Sequence, residues 1–320
     1  MTSLITAATA LGALVFTGLS LSATRDQVNV SQQSQITDRY TKAIEQIGAQ
    51  GREHLQTRLG GIYALERLAY DSSRDQPTII EVLSAFVRSA VPVANSAAAP
   101  CPPPPVGLDV QAALTVLGRR DKANDQGAQI DLQYTCLGGA QVFGDLSEAN
   151  LMGADLTGTN LTGVDLIGTN LMGVNLTRAS LAGANVIYAD LTNANLSEAL
   201  LITADFTNAN LDGAHLTNAN LDGAHLANAT LTVPDLLDAS HSHVSEGVAG
   251  MGATDLTGAN LTGADLTNAN LTGANLTDAD LTSTDLTRAN LAGSNLTRAR
   301  HDATTRIDHT SRTNTVGAWW

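Results

Sequence analysis

Apolar residues recur at every fifth position through the C-terminal half of the chain, from Leu146 to Leu296. Each of these central residues, usually leucine, follows a small residue two positions earlier and usually an Asp or Asn one position earlier, here called the preceding residue. A period of five fits neither an amphipathic helix nor an alternating strand. It predicts a coil that turns one corner per pentapeptide, with the central and small residues pointing inward. Four pentapeptides then complete a square coil, and the coils stack in one dimension.

The repeat weakens between residues 234 and 253, although Leu236 and Leu256 lie one coil of twenty residues apart. Two interpretations are open. A degenerate coil would place His241 and Glu246 at central positions, whereas a loop would leave the solenoid and let the frame resume. A buried Glu246 without a partner would be costly. The sequence therefore favours a partly looped-out segment.

The repeated A(D/N)LXX sequence, as in Ala149–Gly153 and Ala259–Gly263, resembles that of the pentapeptide-repeat family. This resemblance implies a mainly β fold, a right-handed quadrilateral β-helix, over residues 129–300 with an irregularity at 234–253. Gln129 to Val142 leads into the solenoid, and we expect it to cap the exposed end.

Residues 1–24 are uncharged and would form an apolar helix of about 30 Å, enough to cross a bilayer core. A transmembrane anchor is favoured. A cleaved signal peptide is disfavoured because no Lys or Arg precedes the apolar run, and a buried helix has no evident partner. Arg25, Arg39 and Lys42 follow the segment, so the positive-inside tendency indicates a single-pass protein of the cell membrane with a cytoplasmic repeat domain.

The remaining segments are assigned from apolar spacing and composition. Residues 25–95 contain three predicted helices, the third opened by Pro77 in its first turn. Residues 96–128 form a Pro-rich linker and a short helix, and residues 301–320 form a polar tail.

Three segments of this region carry a second resemblance: Gln35–Gly48, Arg58–Arg67 and Asp109–Arg119. They are similar to membrane-anchored actinobacterial pentapeptide-repeat proteins. The resemblance implies a membrane segment, a helical module and a cytoplasmic repeat domain, in that order.

The acidic charge is concentrated in the predicted solenoid. The chain has a net charge of −14, and residues 137–300 hold seventeen Asp or Glu against four Arg. With twenty residues per coil, preceding residues stack in ladders, and one ladder also contains Asn185, His225 and Ser245. Stacked like charges cost stability, which makes this ladder a candidate interaction site. We call its five carboxylates the acidic ladder: Asp145, Asp165, Asp205, Asp265 and Asp285.

Catalytic and cofactor motifs are missing from the sequence. It contains no P-loop, no Gly-x-Ser-x-Gly elbow and no His-Glu-x-x-His. The pair His241 and His243 is too sparse to predict a metal site, and His215 lies on the outside of a coil. Two cysteines, Cys101 and Cys136, do not make a disulfide framework, so free thiols are favoured. The sequence predicts no catalytic residue, no cofactor and no metal.

These observations favour a non-catalytic, membrane-anchored protein-interaction scaffold. Its partners would be the membrane, through the N-terminal helix, and an unidentified protein, without direct binding of nucleic acid. A resemblance to soluble pentapeptide-repeat proteins of the quinolone-resistance type implies an alternative, a DNA-mimicking modulator of a type II topoisomerase, gyrase. Asp and Asn are also the usual residues at these positions, and acidity keeps a rod soluble without any partner.

Overall fold

The chain forms two compact units, Met1–Ser72 and Ser73–Trp320. The computed structural model describes residues 20, 25, 27–28, 30–93, 101–232, 253–308 and 315–317. The division falls inside the predicted module 25–95, because the third predicted helix belongs to the same unit as the solenoid.

The first unit is a pair of helices. Helix α1 covers residues 30–47 and α2 is Leu55–Asp71, with a short 3-10 turn at Arg52–His54 between them. Gly61 of α2 approaches α1 closely, since a Cβ there would lie 2.7 Å from the Ile47 side chain. The Arg58 guanidinium stabilises the connection by donating to the carbonyl of Gly51 (2.7 Å).

Within the part of the chain that the structure describes, no helix combines the length and apolar character needed to cross a bilayer. The predicted anchor, residues 1–24, lies outside the described residues except for residue 20.

Stacked coils form the solenoid, which begins near Ile130 of the second unit. Preceding residues of successive coils pair in parallel, as Asp145 does with Asp165. Central residues and the small residues two positions earlier fill the interior, and nearly all are at most 2% exposed. Threonine replaces the small residue at Thr169 and Thr284, where its hydroxyl donates to a carbonyl of the neighbouring coil (3.0 Å and 2.7 Å). The interior therefore leaves no hydroxyl without a partner at these positions.

The frame of the solenoid skips the irregular segment. His215 pairs with Asp255, and Asn220 pairs with Asn260 across forty residues rather than twenty. The coil that the chain leaves after Thr232 is therefore resumed at residue 253. This pairing joins the coil before the irregular segment directly to the coil after it. Residues 233–252, with His241, His243 and Glu246, lie outside the described residues.

Deletion of residues 233–252, which joins Thr232 to Ala253, is expected to leave the unfolding temperature unchanged or slightly raised. The pairing of coils is retained, and the entropic cost of joining two paired coils through a further twenty residues, about 3 kcal/mol or less, is removed. Deletion of residues 243–262 removes the same length but takes away two pentapeptides of the solenoid with the buried Leu256 and Leu261, and should lower the unfolding temperature by several degrees. Thermal unfolding followed by circular dichroism distinguishes these outcomes, and a large loss in the first variant would contradict the skipped frame.

Two helices, α3 (Gln76–Ala90) and α4 (Leu108–Arg119), cover the N-terminal end of the solenoid. Arg88 of α3 forms an ion pair with Asp131 of the first coil (2.8 Å). A buried ion pair between Arg120 and Asp125 (2.9 Å) follows α4, and Gln76 of α3 donates to the same carboxylate (2.7 Å). The end of the solenoid is thereby shielded from water.

The segment 129–142, predicted to cap the solenoid, instead contributes to the first coil. Asp131 pairs with Asn150 and Gln141 pairs with Asn160, both in parallel. The covering role falls to α3 and α4, which contact each other and bury their apolar residues.

Cys101 and Cys136 form a disulfide, so the expectation of free thiols is wrong. Their Cα atoms lie 5.4 Å apart although 35 residues separate them. Cys136 occupies a preceding position in the first coil, and Cys101 lies in the Pro-rich segment between α3 and α4. The packing of the helices on the coil brings the two thiols together, which the spacing of cysteines alone does not indicate.

The parallel pairing between coils continues past residue 300 into the predicted polar tail. Strand β1 (Asp285–Leu286) pairs in parallel with β2 (Arg306–Ile307), and Asn295 pairs with Val316. Asp302 organises the turn before β2: a hydrogen bond from the Thr304 hydroxyl and one from the Ser283 backbone lower its pKa to about 2. The solenoid therefore extends beyond residue 300, its predicted end. The sequence does not indicate the extension because this turn lacks the A(D/N)LXX repeat.

Candidate functional site

The five residues of the acidic ladder lie in one line along one side of the solenoid. Asp145 pairs with Asp165, and Asp265 pairs with Asp285. Asn185 separates Asp165 from Asp205, and His225 pairs directly with Asp265. Ser245, expected between His225 and Asp265, lies outside the described residues. At about 4.8 Å between coils, the ladder spans roughly 29 Å.

Each carboxylate of the ladder accepts a hydrogen bond from the backbone N–H two residues later. The distance is 2.8 Å at Asp145, 3.1 Å at Asp165 and 2.9 Å at Asp205. Asn at preceding positions makes the same bond, as between Asn160 and the N–H of Thr162 (3.0 Å). The fold therefore requires a side-chain oxygen acceptor at these corners, but it does not require the negative charge.

Cations lie at the two ends of the ladder. Partial burial raises the pKa of Asp145, but hydrogen bonds from Ser147 and the charges of Lys122 and Arg120 outweigh it, so the pKa is lowered. At the other end burial raises the pKa of Asp285, and hydrogen bonds from Thr287 and Arg306 with the Arg306 charge lower it further than burial raises it. Both carboxylates are therefore ionised at neutral pH.

The middle of the ladder carries uncompensated charge. Asp165, Asp205 and Asp265 form no ion pair with any residue that the structure describes, whereas some surface carboxylates elsewhere on the solenoid do. These other pairs lie on other corners and faces: Arg178 with Glu198 (2.7 Å), Arg298 with Asp278, and Arg300 with Asp280 (3.2 Å). Two coils separate Asp165 from Asp205, so their mutual repulsion in water is only about 0.4 kcal/mol. The solenoid tolerates the charge at little cost.

Three apolar side chains that the repeat pattern does not single out lie beside the ladder: Ile167, Ile187 and Tyr188. They occupy corners, the two positions after a central residue, where this chain mostly carries Thr, Gly or Asn. The two isoleucines are half-buried, and Tyr188 is 66% exposed. A comparison of corner residues down each column would have identified them.

Two histidines replace Asp or Asn at preceding positions of the solenoid. His215 and His225 are exposed on the outer surface. Among the residues that the structure describes, no group of three His, Cys, Asp or Glu is placed to hold a metal ion.

This geometry defines a class of protein: a solenoid with a dry, filled interior that presents stacked side chains on flat outer faces. The family model for pentapeptide repeats matches eight copies in this chain, at residues 145–178, 159–198, 175–211, 199–232, 253–293 and 274–300. The chain belongs to the pentapeptide repeat family.

Solved structures of the same kind are similar to parts of the chain. HetL, a pentapeptide repeat protein involved in heterocyst differentiation regulation from the cyanobacterium Nostoc, is 35% identical over 53% of this chain and 73% of its own, with a TM-score of 0.20. A pentapeptide repeat protein from the Arabidopsis thaliana thylakoid lumen is 30% identical over 34% of this chain and 80% of its own, with a TM-score of 0.28. QnrB1, a plasmid-mediated fluoroquinolone resistance protein, is 18% identical over 52% of this chain and 85% of its own, with a TM-score of 0.23. No curated protein matches the chain.

Proposed function

We propose that this chain is a non-catalytic interaction scaffold, attached to a membrane by residues 1–24, whose solenoid presents an acidic face to a protein partner. The observation that carries the proposal is the uncompensated charge at Asp165, Asp205 and Asp265. The fold needs only an oxygen acceptor at these positions, and Asn supplies one elsewhere in the same solenoid. Charge that the fold does not require remains available to a partner.

Replacement of Asp165, Asp205 and Asp265 by Asn is expected to reduce the amount of captured protein partner at least about tenfold. Asn preserves the corner hydrogen bond, so the unfolding temperature should stay within a few degrees of wild type. The measurement is affinity capture with the full chain, quantified by mass spectrometry.

The matched control replaces Asp155, Asp190 and Asp280 by Asn. These are preceding residues on the other faces with the same corner bond, each about 3.0 Å from the N–H two residues later. The control removes the same net charge and should leave capture unchanged. Equal losses in both variants would show that overall acidity, rather than this face, attracts the partner.

Membrane attachment is tested separately by fractionation of cells that contain the untagged chain. We expect the chain in the membrane fraction, and a wholly soluble chain would overturn this part of the proposal. The basic residues after residue 24 favour a cytoplasmic solenoid, whereas a stable disulfide is typical of oxidising compartments. Protease treatment of intact cells decides between the two sides, because only an external solenoid would be cleaved.

The alternative function is modulation of gyrase by charge mimicry. Duplex DNA carries one charge per about 1.7 Å, roughly twenty over a rod of this length, and the net charge of −13 over residues 137–300 is within a factor of two. The alternative predicts that the purified chain inhibits supercoiling at micromolar concentration. Replacing all five acidic-ladder residues by Asn should remove that inhibition, and no inhibition by the wild-type chain would exclude this function.

A further inference from the structure

Two isoleucines lie in a column of corner residues whose other members are Ser, Thr and Ala. The first corner residues of this column are Ser147, Ile167, Ile187, Thr207, Ala227, Thr267 and Thr287. The Gly168 N–H donates to the Ile187 carbonyl (2.9 Å), so the two isoleucines lie on consecutive coils. Tyr188 follows Ile187 at the same corner. An apolar surface therefore exists in the N-terminal half of this column and not in its C-terminal half.

The fold does not favour a tyrosine at residue 188. Its φ is 58°, in the left-handed region, which glycine adopts freely and Asn tolerates better than bulky residues. Asn occupies the same position one coil later, at Asn208 with φ 59°. Tyr188 also gains little from burial, because 66% of it is exposed. An aromatic side chain held in this way has the properties of the residues that dominate binding energy at protein interfaces.

Carboxylates flank the apolar side chains. The N–H of Ile167 donates to the Asp165 carboxylate (3.1 Å), and Asp205 lies in the same line two coils further on. Neither carboxylate has an ion-pair partner in the described part of the chain. The nearest arginine in sequence, Arg178, is engaged by Glu198 on another corner (2.7 Å).

We infer that the patch formed by Asp165, Ile167, Ile187, Tyr188 and Asp205 docks a basic amphipathic segment of a partner protein. The inference rests on the proposed scaffold function and names the face and the chemistry of the partner. Apolar side chains of the segment pack on Ile167, Ile187 and Tyr188, while its Lys or Arg side chains reach Asp165 and Asp205.

Charge complementarity selects this occupant over others. Nucleic acids and anionic lipid surfaces would be repelled by the two carboxylates. A second copy of the chain docked through the same patch would oppose like charges. A basic segment neutralises both carboxylates and also covers the apolar corner.

The test converts the patch into an ordinary corner by the substitutions Ile167→Thr, Ile187→Thr and Tyr188→Asn. Thr and Asn are the residues of the next coil, Thr207 and Asn208, so the variant should unfold at the wild-type temperature or slightly above it. The probe is a fluorescent fourteen-residue helical peptide with a leucine face and lysines elsewhere, titrated into the full chain at physiological salt. We expect the dissociation constant to rise at least about tenfold in this variant.

Two further variants separate apolar from electrostatic binding. The double variant Asp165→Asn, Asp205→Asn should bind the peptide several-fold more weakly than wild type. The double variant Asp155→Asn, Asp190→Asn, which changes other faces, should bind it with the wild-type dissociation constant. The triple corner variant retains every carboxylate, so unchanged peptide affinity in it would overturn the inference in favour of non-specific attraction to an acidic rod.

A photo-crosslinking residue at position 188 in cells identifies the natural occupant, with position 268 as the control on the C-terminal half. The expected product at 188 alone is a protein segment with Lys or Arg around apolar residues. Crosslinking to nucleic acid, to a second copy, or equally from both positions would overturn the inference. If the corner variant still captures a partner at wild-type level, the scaffold function stands and the patch is not its site. If neither chain captures a partner, the proposed function itself fails.

Discussion

Reduction of the Cys101–Cys136 disulfide is expected to lower the stability of the N-terminal end of the solenoid by about 4 kcal/mol. The bridge closes a loop of 35 residues, and the loss of that constraint on the unfolded chain corresponds to an entropy cost of this size. Because each coil contacts only its neighbours, the effect should remain local. The first coil and its contacts with the segment after α3 should open while later coils stay closed.

Hydrogen exchange measures this local effect. The N–H of Val93 donates to the Tyr134 carbonyl (2.7 Å) and the N–H of Cys136 to the Val91 carbonyl (2.7 Å). We expect both amides to exchange about a thousandfold faster after dithiothreitol treatment, the equivalent of about 4 kcal/mol. The amide of Leu266, far along the solenoid, serves as the internal reference. A variant with both cysteines replaced by Ser should exchange rapidly with or without reductant, and unchanged protection of wild type after reduction would contradict the prediction.

The repeating part of this fold could be predicted from the sequence because each pentapeptide contains the residues that determine its own conformation. Leucine and alanine fill the interior, and Asp or Asn supplies the corner acceptor. The acidic ladder follows from the period, since residues twenty apart share a face wherever the repeat is regular. The position of its members needed only the correct count of residues per coil.

Other features depend on contacts between distant segments, and no local pattern reports them. The disulfide arises because α3 and α4 pack on the first coil. Leu236 and Leu256 are one period of twenty apart, so the sequence places Leu236 in the repeat. In the structure the pentapeptide of Leu256 instead follows that of Leu231. The last turn is built around hydrogen bonds to Asp302. The polar composition of residues 301–320 does not indicate that these bonds form. The apolar corner was overlooked because the period accounts for central residues and says nothing about corners.

Val186 and Phe206 are expected to be strongly coupled in stability. They are central residues of one column, in which the other members are leucines: Leu146, Leu166, Leu226, Leu266 and Leu286. Pairing of Asn185 with Asp205 places the two on consecutive coils, and both are fully buried. The large phenyl ring therefore lies next to the smallest central side chain of the column. A close-packed interior favours such compensation of volume.

Substitution Phe206→Leu should cost about 1–2 kcal/mol because it leaves a cavity beside Val186. Substitution Val186→Leu should cost about 1–3 kcal/mol because it adds a methylene against the phenyl ring. The double variant restores the leucine pair found elsewhere in the column and should be within about 1 kcal/mol of wild type, a coupling of roughly 2 kcal/mol. Urea unfolding of the four proteins measures the cycle. As a control, Phe206→Leu combined with Leu271→Val, on a different face, should be additive within about 0.5 kcal/mol. Additive losses for Val186 and Phe206 would mean that consecutive coils do not compensate each other's volume, and that each coil packs its central residue independently.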